Sequence, residues 1–147
     1  MLNHISPLIS PELLKVLSEM GHGDEIVLAD ANFPSASIAA RTTLGHELRA
    51  DGIGAAPLLD AILELFPLDQ YDAENFILME VVPGDTVQTP IWDTYADVLH
   101  AHEPNNPVTH LERFAYYERA KQAYAVVSTG ETALYANLIL KKGVVKG

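Results

Sequence analysis

Short apolar runs alternate with segments of helical period along almost the whole chain, and this alternation restricts the fold more than any other feature. The first pair is the clearest. Ser10-Pro11-Glu12 offers a helix cap, a proline suited to the first helical position and an acid for the first turn. Leu13, Leu14, Val16, Leu17 and Met20 then share one helical face, and Gly21 supplies a stop. Glu25 to Asp30 reads as a buried strand, because the run Ile26-Val27-Leu28-Ala29 is short and bounded by turn residues.

The pattern then repeats. It predicts strands over His46–Ala50, Asn75–Val82, Val108–Glu112, Ala123–Ser128 and Leu134–Leu140, with helices over Pro57–Phe66, Pro90–His100 and Arg113–Gln122. Pro83-Gly84-Asp85 closes the strand that begins at Asn75. Residues 31–45 show loop chemistry at Asn32-Phe33-Pro34-Ser35 and little further pattern. Alternation of this kind predicts an α/β protein in three layers, with helices on both faces of a mixed, mostly parallel sheet of about six strands. The last two strands are close enough for a hairpin, which is why a mixed sheet is expected. No repeat or linker interrupts the 147 residues, so one domain, 1–147, is expected.

Composition narrows the function. The chain has no cysteine, which removes disulfide, thiolate and sulfur-ligated zinc chemistry. A net charge of -11 repels phosphate backbones, so nucleic acid is not an expected partner. No apolar run approaches the ~20 residues that span a bilayer, and no basic stretch precedes an apolar one near Met1. A cytoplasmic protein without membrane contact is expected.

Several residues could carry chemistry. His22 lies between Gly21 and Gly23 at a helix-to-strand junction, where glycines leave a side chain accessible. Its imidazole suits proton transfer near neutral pH, or it caps the preceding helix. Asp30 follows the first strand, and ligands of open α/β sheets bind beyond the carboxyl ends of strands. A loop-capping role is the alternative. At ~3.3 Å per extended residue, His22 and Asp30 should lie roughly 20 Å or more apart. Either the glycine turn folds His22 back over the sheet, or one site draws on two subunits.

Arg113 opens the stretch Arg113-Phe114-Ala115-Tyr116-Tyr117-Glu118-Arg119. Its fork of donors suits an oxygen-rich ligand, or an ion pair with Glu112. Arg119 and Glu118 read as a solvated helix face, and one of the two tyrosines as core. Tyr135 and Asn137, two apart in an expected strand, would face one side with hydroxyl-binding groups. His100 and His102 have the wrong spacing for a helical metal pair, and no HExxH, Walker loop, Gly-x-Gly-x-x-Gly or Gly-x-Ser-x-Gly is present.

Taken in order, Leu8 to Leu14, Met20 to Ile26, Ala29 to Pro34, Arg49 to Gly52, Arg113 to Ala120, Thr129 to Glu131 and Tyr135 to Gly143 resemble the RbsD/FucU sugar mutarotases over nearly the whole chain. The Arg113–Arg119 stretch resembles the fucose-handling branch more than the ribose-handling one. The resemblance implies a cofactor-free isomerase that interconverts the α and β anomers of free L-fucose, with pyranose and furanose forms of ribose as a further substrate. It places the proton donor on His22, and ring opening and closure then allow Tyr135 as a second proton relay. It places sugar binding on Asp30, Arg113, Tyr135, Ala136 and Asn137. It implies a homo-oligomer, a decameric ring with sites near subunit contacts, and no metal. Residues 35–46 and 85–107 match no motif of the family. Two other readings compete: a non-catalytic monosaccharide-binding or interaction module, and a metal-dependent lyase built on His100 and His102.

Overall fold

The computed structural model describes residues 1–147. Six strands form one sheet: β1 (Glu25–Ala29), β2 (Leu48–Ala50), β3 (Phe76–Met79), β4 (Thr109–Leu111), β5 (Ala125–Thr129) and β6 (Leu138–Lys141). Their spatial order is β2-β5-β1-β6-β3-β4. Five helices connect them: α1 (Pro11–Glu19), α2 (Ser35–Ala39), α3 (Ala55–Leu63), α4 (Pro90–His102) and α5 (Arg113–Lys121).

The pairs β1–β5, β2–β5 and β3–β4 are parallel, while β6 runs antiparallel to both β1 and β3. Five strands therefore point one way and β6 alone is reversed. The sheet is mixed, as expected, but not through the expected hairpin. β1 lies between β5 and β6, pairing Ile26 with Ala125 on one side and with Leu140 on the other. The physical reason lies in β1 itself. Ile26, Val27, Leu28 and Ala29 are completely buried, so their backbone groups need a partner on both edges.

Side chains alternate across the sheet and build two cores. Ile26, Leu28, Leu78, Val127, Leu138 and Leu140 pack with Leu13, Val16 and Leu17 of α1, Leu58, Leu59 and Ile62 of α3, and Tyr95 and Leu99 of α4. Val27, Ala29, Ile77, Met79, Val126 and Ile139 face the other way, toward Ile38 and Ala39 of α2 and Tyr116 and Ala120 of α5. These two cores make the three-layer α/β arrangement.

Local chemistry sets the helix ends. Ser10 Oγ accepts from the Leu13 N–H at 3.1 Å and starts α1. Glu112 accepts from the N–H groups of Phe114 and Ala115 and starts α5. Glu112 is thus a cap, not the ion-pair partner of Arg113. Arg119 is not on a solvated face either. It is mostly buried and forks onto Glu25, with Nε 3.0 Å from Oε1 and Nη2 2.7 Å from Oε2. Glu25 at the start of β1 explains the difference, because its carboxylate holds the Arg119 side chain in against the sheet. The two stretches Asp51-Gly52 and Thr129-Gly130-Glu131 cross each other closely. A Cβ on Gly130 would sit 2.9 Å from the Gly52 nitrogen, so only glycine fits there.

Candidate functional site

Parallel strands that end together create a shared rim, and the reversed strand begins on the same rim. Asp30 follows β1, Met79 to Val82 leave β3, Arg113 follows β4, and Leu134 to Asn137 lead into β6. These segments enclose a cavity of about 280 Å³ lined by Asp30, Arg113, Tyr135 and Asn137. Such a volume lies at the small end of ligand pockets, roughly 300–1,000 Å³. Phe33, Met79, Tyr117 and Leu134 supply an apolar wall, so the cavity pairs a hydrogen-bonding side with a hydrophobic one.

Asp30 is 5% exposed and is tied into the cavity floor. Its N–H donates to Asn137 Oδ1 at 2.7 Å, and its Oδ1 accepts from the Asn32 N–H at 3.0 Å. Burial pushes its carboxyl above the ordinary carboxylate range. The N–H groups of Asn32, Ala136 and Phe33 and the Asn137 side chain pull it part of the way back. Asn137 spends its oxygen on the backbone of Asp30, so its amide nitrogen is the group that faces the Asp30 carboxyl and the cavity as a donor.

Tyr135 and Asn137 were expected to share one face of a strand. The strand begins only at Leu138, and Tyr135 has φ 54, a left-handed conformation that ends any extended run. Both residues still reach the cavity, through this bend and not through alternation. Trp92 Nε1 donates to the Tyr135 carbonyl at 2.8 Å and Tyr95 Oη donates to the Ala136 carbonyl at 2.7 Å, so α4 holds the bend from behind. Ala136 itself is fully buried and does not line the cavity. Its contribution is through the main chain.

The Tyr135 hydroxyl donates to Asp85 Oδ2 at 2.8 Å and accepts from the Val82 N–H at 3.3 Å. The bond to Asp85 pushes its phenol upward, while the Val82 N–H acts in the opposite direction. Asp85 is an exposed cavity residue that the sequence does not single out. The turn Pro83-Gly84-Asp85 marks its segment, but its partner lies fifty residues further on. Arg113 makes no ion pair. Its guanidinium lies 5.4 Å from the Phe114 ring centroid and 5.6 Å from that of Tyr117, which leaves its donors for another group.

His22 is elsewhere. It lies at the amino end of β1, beside Asp69 and Tyr71, and does not line the cavity. The five residues of β1 alone separate the two places by about 16 Å. Gly23 takes φ 87 but does not fold His22 back over the sheet. The glycine-turn alternative is therefore excluded within one chain. The two histidines of α4 are not brought together either. His100 Nε2 meets the Asn106 carbonyl at 3.0 Å and His102 Nε2 meets Asp60 Oδ1 at 2.7 Å. Asp60 of α3, Glu64 just past its end and His102 of α4 place their ligand-type atoms within 4.8 Å of one another, and none of the three lines the cavity.

Comparison with known proteins agrees with this architecture. A protein named fucose mutarotase from Danio rerio is 53% identical over 147 residues, covering 98% of this chain and 94% of that protein. The crystal structure of FucU from Bifidobacterium longum superposes with a TM-score of 0.93 at 53% identity, covering 98% of this chain and 100% of that one. The fucose mutarotase of Streptococcus pneumoniae, solved in complex with L-fucose, superposes with a TM-score of 0.90 at 54% identity, covering 99% and 100%. The model of the RbsD / FucU transport protein family matches residues 3–145, and the chain belongs to that family.

Proposed function

We propose that the whole chain acts as one mutarotase domain, an isomerase that interconverts the α and β anomers of free L-fucose. The observation that carries this reading is the cavity beyond β1, β3 and β4. It sets Asp30, Arg113, Tyr135 and Asn137 around a volume suited to one monosaccharide and opposes them with an apolar wall. A 6-deoxy sugar has the matching character: several hydroxyls and one methyl group. Relatives named fucose mutarotase at 53% identity support the same substrate.

Anomer exchange opens a hemiacetal, lets the carbonyl turn over and closes the ring again. One group takes the proton of the anomeric hydroxyl, and another protonates the ring oxygen. General acid–base help is worth roughly 10²–10⁴-fold, a useful increment for a reaction that already proceeds in water. Asp30, Arg113 and Asn137 hold hydroxyls in this scheme. Tyr135, with its proton aimed at Asp85, is one relay. His22 is the other.

His22 and the cavity occupy opposite ends of β1, so we assign them to one site formed by two copies of the chain. His22 of one copy then reaches the cavity of its neighbour, within a closed homo-oligomer such as the decameric ring expected from sequence. A cysteine-free chain of net charge -11 fits a reducing cytoplasm. The test is NMR saturation transfer between the anomeric protons of L-fucose with and without protein, repeated over a panel of aldoses. Accelerated exchange for L-fucose supports the reading. Tight binding of L-fucose without acceleration would instead favour a monosaccharide-binding module.

A further inference from the structure

Tyr135 holds a left-handed φ of 54, which crowds its Cβ against the next carbonyl and which residues other than glycine avoid. Such strain persists only where the surroundings over-determine it. Here they do. Trp92 Nε1 donates to the Tyr135 carbonyl at 2.8 Å, Tyr95 Oη donates to the Ala136 carbonyl at 2.7 Å, and Asn137 Oδ1 accepts from the Asp30 N–H at 2.7 Å. The loop after β3 is fixed in the same way. The Asp85 N–H donates to the Val82 carbonyl at 3.0 Å, Gly84 turns the chain with a φ of 89, and Asp85 Oδ1 accepts from the Val87 N–H at 3.1 Å. What the bend and the loop produce together is one bond, from Tyr135 Oη to Asp85 Oδ2 at 2.8 Å.

The hydrogen-bonding capacity of that phenol can be counted. A phenol has one hydrogen to give and two lone pairs. The hydrogen goes to Asp85, and one lone pair takes the Val82 N–H at 3.3 Å. The second lone pair has no partner in the chain, and Tyr135 and Asp85 both line the cavity. The hydrogen bond to Asp85 also pushes the phenol upward, against the opposite pull of the Val82 N–H, so tyrosinate is not the base. A neutral phenol accepts a proton only if it passes its own along.

We propose that Asp85 is the terminal proton acceptor of the reaction, reached through Tyr135. As the ring opens, the anomeric O–H bond breaks and its proton moves to Tyr135 Oη, while the phenol proton moves to Asp85 Oδ2. The electron pair of the broken O–H bond becomes the second bond of the new carbonyl. The bond from the anomeric carbon to the ring oxygen breaks, and the ring oxygen keeps that pair and takes a proton from protonated His22 of a neighbouring copy. The carbonyl turns over, closure reverses every transfer, and Asp85, Tyr135 and His22 regain their starting states. This inference rests on the mutarotase reading of the site.

Asp85→Ala tests it, because Asp85 is exposed and its removal leaves room for a small carboxylate. Saturation transfer with L-fucose is expected to show a loss of at least about tenfold in kcat with KM within about twofold. Sodium acetate restores part of the rate once the protein-free exchange at the same acetate concentration is subtracted, and sodium chloride at equal ionic strength restores nothing. Tyr135→Phe loses the same factor, and the double variant loses no more than either alone, because the two groups act as one unit. Asp85→Asn keeps the shape of the side chain without its basicity and loses kcat in the same way. An unchanged kcat in Asp85→Ala, equal recovery in acetate and chloride, or losses that multiply in the double variant would overturn the proposal and leave Asp85 a clamp on the loop. Wild-type protein that does not accelerate L-fucose exchange refutes the mutarotase reading itself. Wild-type acceleration that Asp85→Ala keeps in full refutes only the role of Asp85.

Discussion

Gly143→Ala should damage the site from a distance, and the structure gives the size of the effect. The φ of Gly143 is one that any residue adopts, so the perturbation is purely steric. The new Cβ would lie 2.5 Å from the Leu68 oxygen, 2.8 Å from its carbonyl carbon and 2.9 Å from the Asp69 Cα. Ordinary contact begins at 3.4 Å, so the Leu68 carbonyl must withdraw by about 0.9 Å. No flexible side chain can absorb that movement. The neighbouring backbone is tied to β6 through Lys141, Lys142 and Gly143. Overpacking of this kind costs about 1–3 kcal/mol. For a domain of this size that lowers Tm by roughly 2–12 °C. Asp69 moves with Leu68 and shifts the His22 ring that it holds at 3.1 Å, and a displacement near 1 Å at a reacting group can cost ~10²-fold in rate. Thermal unfolding by circular dichroism and saturation transfer with L-fucose measure the two effects. Gly45→Ala is the control. Its φ of 85 is strained, but its Cβ meets nothing within 4 Å, so stability should fall while the rate of the folded protein holds. Wild-type Tm and wild-type rate in Gly143→Ala would refute the argument.

Two further outcomes follow from the cavity floor. Asn137→Ala leaves the buried Asp30 N–H without its acceptor, which should cost about 1–3 kcal/mol and weaken sugar binding. Asn137→Asp keeps that acceptor, so by urea unfolding it should be the more stable of the two at acidic pH while still binding sugar poorly. Burial holds the Asp30 carboxyl above its ordinary range, so the folded chain resists its ionisation and stability falls as pH rises from the ordinary carboxylate value through the folded one. Asp30→Asn removes that dependence. The stability of the variant relative to wild type should grow across the window and then level off, with activity lost throughout. A difference that stays flat from acid to neutral pH would contradict the raised value.

The legible parts of the sequence were those where local chemistry and tertiary packing agree. Ser10-Pro11 and the Ile26–Ala29 run each specify one element, and the structure keeps both. α2 was hidden because Ser35–Ala39 is a single short turn with no side-chain cap. The Leu134–Leu140 run looked extended because most of its residues are apolar. Tyr135 in the left-handed region cuts it, and nothing in a tyrosine announces that conformation. Strand order was also invisible. β1 recruits β5 and β6 from about a hundred residues away, and hydropathy carries no record of which edges meet. In the site, Asp30 and Arg113 were legible because they follow strands. Asp69 and Asp85 were not, because their partners are 47 and 50 residues away. Strand arithmetic, in contrast, did foresee that His22 and Asp30 stand apart.

That separation is the centre of the account, and subunit complementation measures it directly. His22→Ala and Arg113→Ala each remove one part of a site. Each variant alone should be inactive on L-fucose. Chains of the two kinds, co-expressed in equal amounts and assembled at random, should regain about a quarter of the wild-type exchange rate, because one site in four then joins an intact His22 to an intact cavity on a neighbouring copy. No recovered activity in a mixed assembly of proven composition would contradict a site shared between copies of the chain.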